Sequence, residues 1–437
     1  MSEKKTVGRR QFLKSASLAV AAPAIVPSTV FGKTAPSNRF IMGQIGIGNM
    51  GTTNMKEFLK RKDVQVIAVC DLDRERLNTG RDTVNETYTE RFGNDWKGCD
   101  THHDFRELID RKDIDLISIA VPDHWHAIPA IYAANAGKDI YAEKPLALTI
   151  PQGRAMSNAV KRNGTVWQTG SWQRSVANFR NACELVRNER IGKLRKVYVG
   201  LPTGSALDEP TTIDPVPDGF DYDFWLGAAP WAPYNKNRTH WNFRWILDYS
   251  GGQLTDWAAH HVDIAHWGMG TEYTGPVEIT QAEGKFPRTG LWNASTEYHF
   301  VCRYANGVIV DIGNNTRPQN KQGVRFEGTD GWVFISRSEI DAEPKSLLTS
   351  LIGRDEIHLY RSDNHWGNFI DCVRSREQTI TPIEVAHRSI SVAHLGNIAM
   401  RLGRDIKWDP DNEAIVGDPE AARMLDRSMR SPWNLYM

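Results

Sequence analysis

The chain has 437 residues, 40% hydrophobic and 24% charged, the composition of a soluble globular protein whose length points to two domains rather than one core. Lys plus Arg and Asp plus Glu each total 53, so overall charge provides no attraction to nucleic acid or to an anionic membrane. Five cysteines, Cys70, Cys99, Cys183, Cys302 and Cys372, lack any Cys-x-x-Cys spacing and suggest neither a structural zinc site nor a disulfide framework, although a single bridge stays open.

Gly8-Arg9-Arg10-Gln11-Phe12-Leu13-Lys14, followed by a mildly apolar run from Ala16 to Val26, has the form of a twin-arginine signal. The apolar run is shorter than the roughly 20 residues a membrane-spanning helix needs, so no stable span is expected in the mature chain. Residues 1–35 are therefore set apart from the fold. They predict export by the twin-arginine machinery to a bacterial periplasm or cell surface, with cleavage before Thr34. That route carries folded proteins, so a cofactor would be loaded in the cytoplasm.

Residues 36–168 read as a dinucleotide-binding domain. Phe40 to Ile45 predicts a buried strand that runs into Gly46-Ile47-Gly48-Asn49-Met50-Gly51 and then a helix from Thr52 to Lys60. In such a turn the first glycine permits the bend, the second allows backbone approach to a pyrophosphate, and the third lets helix and strand pack closely. The helix N-terminus offers amide N–H groups to phosphate. A second apolar run, Val64 to Cys70, ends at Asp71, which is placed to bind ribose hydroxyls and would repel a 2′-phosphate. NAD is thereby favoured over NADP, with Arg74 as the nearby counter-indication.

Helices are expected near Arg74 to Thr89 and Phe105 to Arg111, with further strands from Ile114 to Val121 and Asp139 to Ala142. Continuous apolar strands imply a parallel sheet covered on both faces, and ligands of such sheets gather at the carboxyl ends of the strands. Two segments fall there. Pro122, Asp123 and His126 come from one and Glu143 and Lys144 from the other, and all are candidate cofactor contacts. Pro145 limits Lys144 to extended backbone, giving its ammonium a defined exit toward a reacting oxygen.

Residues 169–437 read as a second domain that holds substrate and carries oligomer contacts. Gln173 and Arg174 follow the sixth strand of the first domain and are candidate substrate contacts. Lys196 to Leu201 predicts a strand, and the Pro-, Asp- and aromatic-rich stretch from Leu201 to Asn242 predicts long structured loops. Tyr234, Arg238, His240, Arg244 and Trp245 are further substrate candidates there, each equally suited to packing between domains. The 15 tryptophans suit stacking on sugar faces, although any one of them is better read as a packing residue.

Gly251-Gly252 then opens a helix on which Asp256 and His260 share a face. An imidazole that titrates near neutrality suits removal of a hydroxyl proton, and a carboxylate one turn away can orient it or bind substrate. His260 is the candidate base, with Lys144 and Asp256 as the other catalytic residues, and His261 is read as structural. His260, Asp263 and His266 are conceivable metal ligands, but no spacing fixes a geometry and no metal is expected. Strands from Glu297 to Tyr304, Val308 to Ile312, Val324 to Glu327 and Trp332 to Ile335 are joined in part by Asn306-Gly307 and Asp330-Gly331, preferred hairpin dipeptides, and so predict an antiparallel sheet. Helices near His365 to Ser375 and Pro382 to Leu402 are expected to pack back on the first domain.

With the glycine turn Gly46 to Gly51, the tripeptide Glu143-Lys144-Pro145, and Asp256-x-x-x-His260 behind Gly251-Gly252, the sequence resembles the glucose-fructose oxidoreductase, inositol dehydrogenase and rhizopine-catabolism oxidoreductases (Gfo/Idh/MocA). The resemblance covers essentially the whole mature chain. It implies a Rossmann domain plus an α+β domain on a large open sheet, a homodimer or homotetramer, and Lys144, Asp256 and His260 meeting beside a nicotinamide. Two departures stand out: Asp123 where the family often has Asn, and Ala258 where Gly is usual. The implied activity is hydride transfer between a secondary hydroxyl of a sugar, glycoside or cyclitol and a tightly held NAD. Glycoside cleavage through transient oxidation uses the same residues, and a non-catalytic sugar or dinucleotide sensor is the reading from another class.

Overall fold

The structure, a computed structural model, describes residues 38–208, 211–317 and 319–436. The twin-arginine segment lies outside the described residues.

The first sheet contains β1 (Phe40–Ile45), β2 (Val64–Cys70), β3 (Asp100–His102), β4 (Leu116–Ile119), β5 (Asp139–Ala142) and β6 (Trp167–Thr169), in the order β3-β2-β1-β4-β5-β6. Every pairing is parallel. Helices α1 (Asn49–Leu59), α2 (Arg74–Phe92), α3 (Phe105–Ile109), α4 (Ala127–Asn135) and α5 (Ile150–Asn163) make the crossovers. Strand order reverses between β1 and β4, which opens a crevice at the carboxyl end of the sheet. Register sets what faces it. Ile45 pairs with Cys70 and with Ile119, and Ile119 pairs with Ala142. The next residue of each strand, Gly46, Asp71, Ala120 and Glu143, therefore emerges in one row.

After α6 (Ala177–Arg187), the second sheet is built from β7 (Lys196–Leu201), β8 (Glu278–Lys285), β9 (Glu297–Arg303), β10 (Ile309–Asn314), β11 (Gly323–Glu327), β12 (Trp332–Ile335), β13 (Ile340–Glu343), β14 (Ile406–Asp409) and β15 (Ala414–Val416). Its order is β13-β12-β11-β7-β10-β9-β8-β14-β15, antiparallel except where β7 meets β10. Between β7 and β8 the chain forms α7 (Tyr222–Leu226) and α8 (Gly252–Met269). Along α8 nearly every residue from Ala258 to Gly268 is buried, because the helix is enclosed by this sheet, by α6 and by the long C-terminal helix α10 (Ile383–Leu402).

The C-terminal helices pack on the first domain. Phe369, Ile370, Cys372 and Val373 of α9 (His365–Ser375) join the core formed by Phe58 and Tyr141, and Phe58 meets Tyr141 and Phe369 edge to face at 5.5 and 6.2 Å. On α5, Arg154 binds Glu384 of α10 through two hydrogen bonds of 2.7 and 2.8 Å. Helix α8, packed on α10, is thus clamped in a fixed relation to the first sheet. All five cysteines are free and buried. Among the described residues no helix is long and apolar enough to cross a membrane.

Candidate active site

The glycine turn is dictated by close contacts. Gly46 has φ of +84°, and a Cβ there would lie 2.3 Å from the Ala120 carbonyl oxygen. A Cβ on Gly51 would sit 2.0 Å from the Gly46 carbonyl oxygen, so only glycine lets α1 pack on the turn. Gly51→Ala is expected to displace α1, cost about 1–3 kcal/mol through overpacking, and empty the protein of bound cofactor. Cofactor absorbance of the purified variant checks this, and wild-type content would refute it.

Gly48 caps α1 without a side-chain hydrogen bond, and no acidic residue lies in the first turn. The helix-end amides thus remain available, as a pyrophosphate requires. Asp71 is held beside them by Ile47 N–H, which donates to its Oδ2 at 2.7 Å, and by Asp73 N–H, which donates to its Oδ1 at 2.9 Å. Burial raises the Asp71 carboxyl, while those two amides and Arg76 act in the opposite direction. Arg76 and Lys56, rather than Arg74, are the basic residues lining the crevice near this end, and the Arg74 backbone N–H donates to the Gly219 carbonyl.

The crevice is a continuous cleft of about 710 Å³. Gly46, Ile47, Gly48, Asn49, Met50 and Asp71 line one end, and Pro122, Asp123, Glu143 and Lys144 continue along it toward Asp256, Arg244 and His240. Phe220, Phe224, Trp241 and Phe243 form a wall not singled out from the sequence. Their only signal was the aromatic density of the loop region.

At the far end Lys144 Nζ donates to Asp256 Oδ1 at 2.7 Å, and Arg244 Nε lies 3.7 Å from the same oxygen. Burial alone would raise the Asp256 carboxyl, but Lys144 and Arg244 outweigh it and hold it below the ordinary aspartate value. Burial pushes Glu143 up, against Asn54, whose Nδ2 donates to Glu143 Oε1 at 2.9 Å, and against Lys144. Asp123, also raised by burial, accepts from Ser250 Oγ at 2.6 Å.

His260 follows Asp256 by one turn of α8 but lies behind the cleft wall, with Trp172 and Trp257 edge-on to its ring at 6.4 and 6.1 Å. Burial, reinforced by Lys144 and Arg337, drives its pKa well below that of free imidazole. Its Nδ1 is buried without a hydrogen-bond partner, leaving a neutral ring with one unengaged nitrogen.

Several sequence-based candidates sit elsewhere. His126 does not line the cleft, because its ring nitrogens face the carbonyl oxygens of Pro145 and Val121 at 2.6 and 2.8 Å and brace the two strand-end segments. Gln173 lies beneath the His260 backbone, and hydrogen-bond matching directs its amide nitrogen to the His260 carbonyl at 3.2 Å. Tyr234 packs edge-on to Tyr222 in an aromatic cluster, Arg238 donates to Tyr249 Oη, and Trp245 tilts against Trp292. Aromatic and cationic residues are ambiguous in sequence because both uses demand the same side chains.

Arg174 is a structural residue. It binds Asp263 in bidentate fashion at 2.7 and 2.9 Å and Glu272 at 2.6 Å, with its guanidinium 4.9 Å from the Trp267 ring centroid. Arg174→Met strands the buried Asp263 carboxylate and removes the main partner of the half-buried Glu272, and a loss of about 3–5 kcal/mol is expected. The urea midpoint measures it, and an unshifted midpoint would assign the triad no structural weight. His266 donates to or accepts from Tyr304 Oη at 2.6 Å, so Asp263 and His266 are committed to other partners than a metal.

A Rossmann sheet with an uncapped helix N-terminus at its crevice, and a second domain that brings Asp256 to Lys144 at the far end of that cleft, define a two-domain dinucleotide-dependent oxidoreductase. Comparison with known proteins gives the family. The family model described as "Oxidoreductase family, NAD-binding Rossmann fold" matches residues 40–171, and that described as "Oxidoreductase family, C-terminal alpha/beta domain" matches residues 169–435. The chain belongs to the Gfo/Idh/MocA oxidoreductase family and binds NAD in its first domain.

It is 25% identical over 298 residues to the myo-inositol 2-dehydrogenase of Thermotoga maritima, spanning 67% of this chain and 74% of that one. It is 30% identical over 164 residues to a glycosyl hydrolase family 109 protein of Shewanella pealeana, a match to 33% of this chain that spans only 35% of the relative's length. The crystal structure of the WlbA dehydrogenase from Bordetella pertussis, in complex with NADH and UDP-GlcNAcA, superposes with a TM-score of 0.63 at 17% identity, covering 85% of this chain and 99% of that one. At that identity the likeness concerns the fold.

Proposed function

We propose that this enzyme moves hydride between a secondary hydroxyl carbon of a sugar, glycoside or cyclitol and a tightly held NAD. The observation that carries the reading is the 2.7 Å contact between Lys144 Nζ and Asp256 Oδ1, which joins the end of a Rossmann strand to the catalytic helix at the wall of the cleft. When bound there, the nicotinamide supplies the hydride acceptor or donor. Lys144, with Asp256 fixing its ammonium, donates a hydrogen bond to the substrate oxygen and stabilises its alkoxide character. His260, held neutral by burial and the nearby cations, takes the hydroxyl proton through the ring edge away from its buried Nδ1. Asp123 and Glu143, buried beside the ring site, hold the cleft wall in place. One relative is a myo-inositol 2-dehydrogenase and one structural neighbour was solved in complex with UDP-GlcNAcA, which supports a polyhydroxy substrate.

The test is mass spectrometry of cofactor released from the purified enzyme, followed by a panel of sugars, glycosides and cyclitols scored for keto product. NAD with a keto product is expected. Release of aglycone without net redox change would replace this reading with cleavage through transient oxidation, and a panel without turnover would leave a sensor.

Residues 1–35 support a further part of the reading, export by the twin-arginine route with the cofactor already in place. In a compartment without free dinucleotide, a cofactor retained through purification is expected.

A further inference from the structure

Beyond the described cleft, a second set of side chains surrounds His260. The guanidinium of Arg337, in the turn after β12, lies 4.6 Å from the ring centroid of Trp172 and 4.6 Å from that of Trp257. Its Nε donates to Gln173 Oε1 at 2.9 Å in the amide orientation that also satisfies the His260 carbonyl. Among the described residues no carboxylate lies within ion-pair distance of Arg337. Two indoles and one amide, the latter bridging to the His260 backbone, hold the exposed guanidinium in place, yet its remaining N–H donors lack an anion. Stacking of this kind keeps the planar fork in one orientation and leaves its edge ready for a planar acceptor.

The surrounding charge is lopsided. Lys144, Arg244 and Arg337 all act on Asp256, the one carboxylate there held firmly in its charged form. Burial drives Asp123 and Glu143 toward the neutral acid. A neutral polyol would leave the excess of positive charge uncompensated, whereas a carboxylate two or three bonds from the reacting carbon would engage it.

We propose that the substrate is an acidic sugar, a hexuronate or its glycoside, whose carboxylate is bound bidentately by Arg337, the guanidinium being held in place by Trp172 and Trp257. This rests on the proposed hydroxyl chemistry but concerns binding, so the two separate experimentally. Arg337 then sets specificity, as bidentate pairing with a carboxylate is both stronger and more directional than hydrogen bonding to neutral hydroxyls.

The experiment titrates the NAD-loaded enzyme, wild type and Arg337→Met, with glucuronate, glucose and glucose 6-phosphate, following tryptophan fluorescence together with absorbance of the reduced nicotinamide. Wild type is expected to bind glucuronate at least about tenfold more tightly than glucose, and the preference is expected to vanish in Arg337→Met while the cofactor stays bound. Equal affinity for glucuronate and glucose, a preference that survives Arg337→Met, or tightest binding of the phosphate would overturn the assignment. Selective binding of glucuronate without nicotinamide reduction by any sugar supports the role of Arg337 and removes the redox reading instead.

Discussion

Lys144→Met is expected to lower kcat by about 10²–10³-fold, the usual effect of deleting a donor to a developing oxyanion, with cofactor content unchanged. Two features of the structure set the size. Lys144 is the cation hydrogen-bonded to Asp256 at the cleft wall, and Arg244, at 3.7 Å, is too far to replace it without moving. His260→Ala removes the proton acceptor and is expected to cost about 10²–10⁴-fold. The pair separates by pH. Because burial, Lys144 and Arg337 hold the His260 imidazole well below its ordinary pKa, the acid limb of kcat/KM is expected to lie below pH 6.5, with the rate flat from neutrality down to that limb. In the Lys144→Met enzyme one of the charges that depress His260 is gone, and the limb should move upward. An acid limb centred at or above pH 6.5 in the wild type excludes His260 as the base, and an unimpaired Lys144→Met enzyme excludes the ammonium from the chemistry.

The parts of this molecule most legible in sequence were those where one residue type answers one steric or electrostatic demand. Gly46 and Gly51 are required by carbonyl oxygens 2.3 and 2.0 Å from where a Cβ would be, and a strand followed by such glycines has few other uses. The strand bounds Phe40–Ile45 and Val64–Cys70 emerged from apolar runs alone. By contrast β8, Glu278–Lys285, gave no signal, since its last five residues are largely open to solvent and carry no alternation. The short edge strands β13, β14 and β15 were silent for a similar reason: three or four residues are too few to show a period. Arg174 and Arg337 show the limit for side chains. Both are arginines stacked on tryptophan; one is neutralised by Asp263 and Glu272, far away in sequence, and the other is unpaired among the described residues. Only the long-range contacts distinguish them. The wall made by Phe220, Phe224, Trp241 and Phe243 was hidden likewise, because loop aromatics declare burial without declaring against what.

Acidification between pH 6.5 and 4 is expected to unfold this protein steeply. Burial lowers the imidazoles of His124, His365 and His394 to about 4 and those of His261 and His266 to about 3, and pushes His260 well below its ordinary value. The unfolded chain takes up these protons near pH 6.5. The folded one refuses them until far lower pH, so each histidine contributes stability that is complete above pH 6.5 and is lost as pH falls toward its folded value. Each uncompensated proton removes roughly a factor of ten from the folding equilibrium constant per pH unit. Asp71, Asp123, Glu143 and Asp263 act in the opposite sense, because burial raises them and the folded state protonates them first. They are fewer than the histidines, so the histidines set the direction of the net slope. Urea unfolding at half-unit pH steps should show a midpoint constant above about pH 7 and falling below 6.5. In His394→Gln the amide can still donate to the Ala147 carbonyl, which His394 Nε2 meets at 3.0 Å, and the slope should lessen by about one proton. A midpoint that holds from neutrality to pH 5 would mean that the buried imidazoles accept protons in place, and the neutral base assigned to His260 would lose its electrostatic foundation with them.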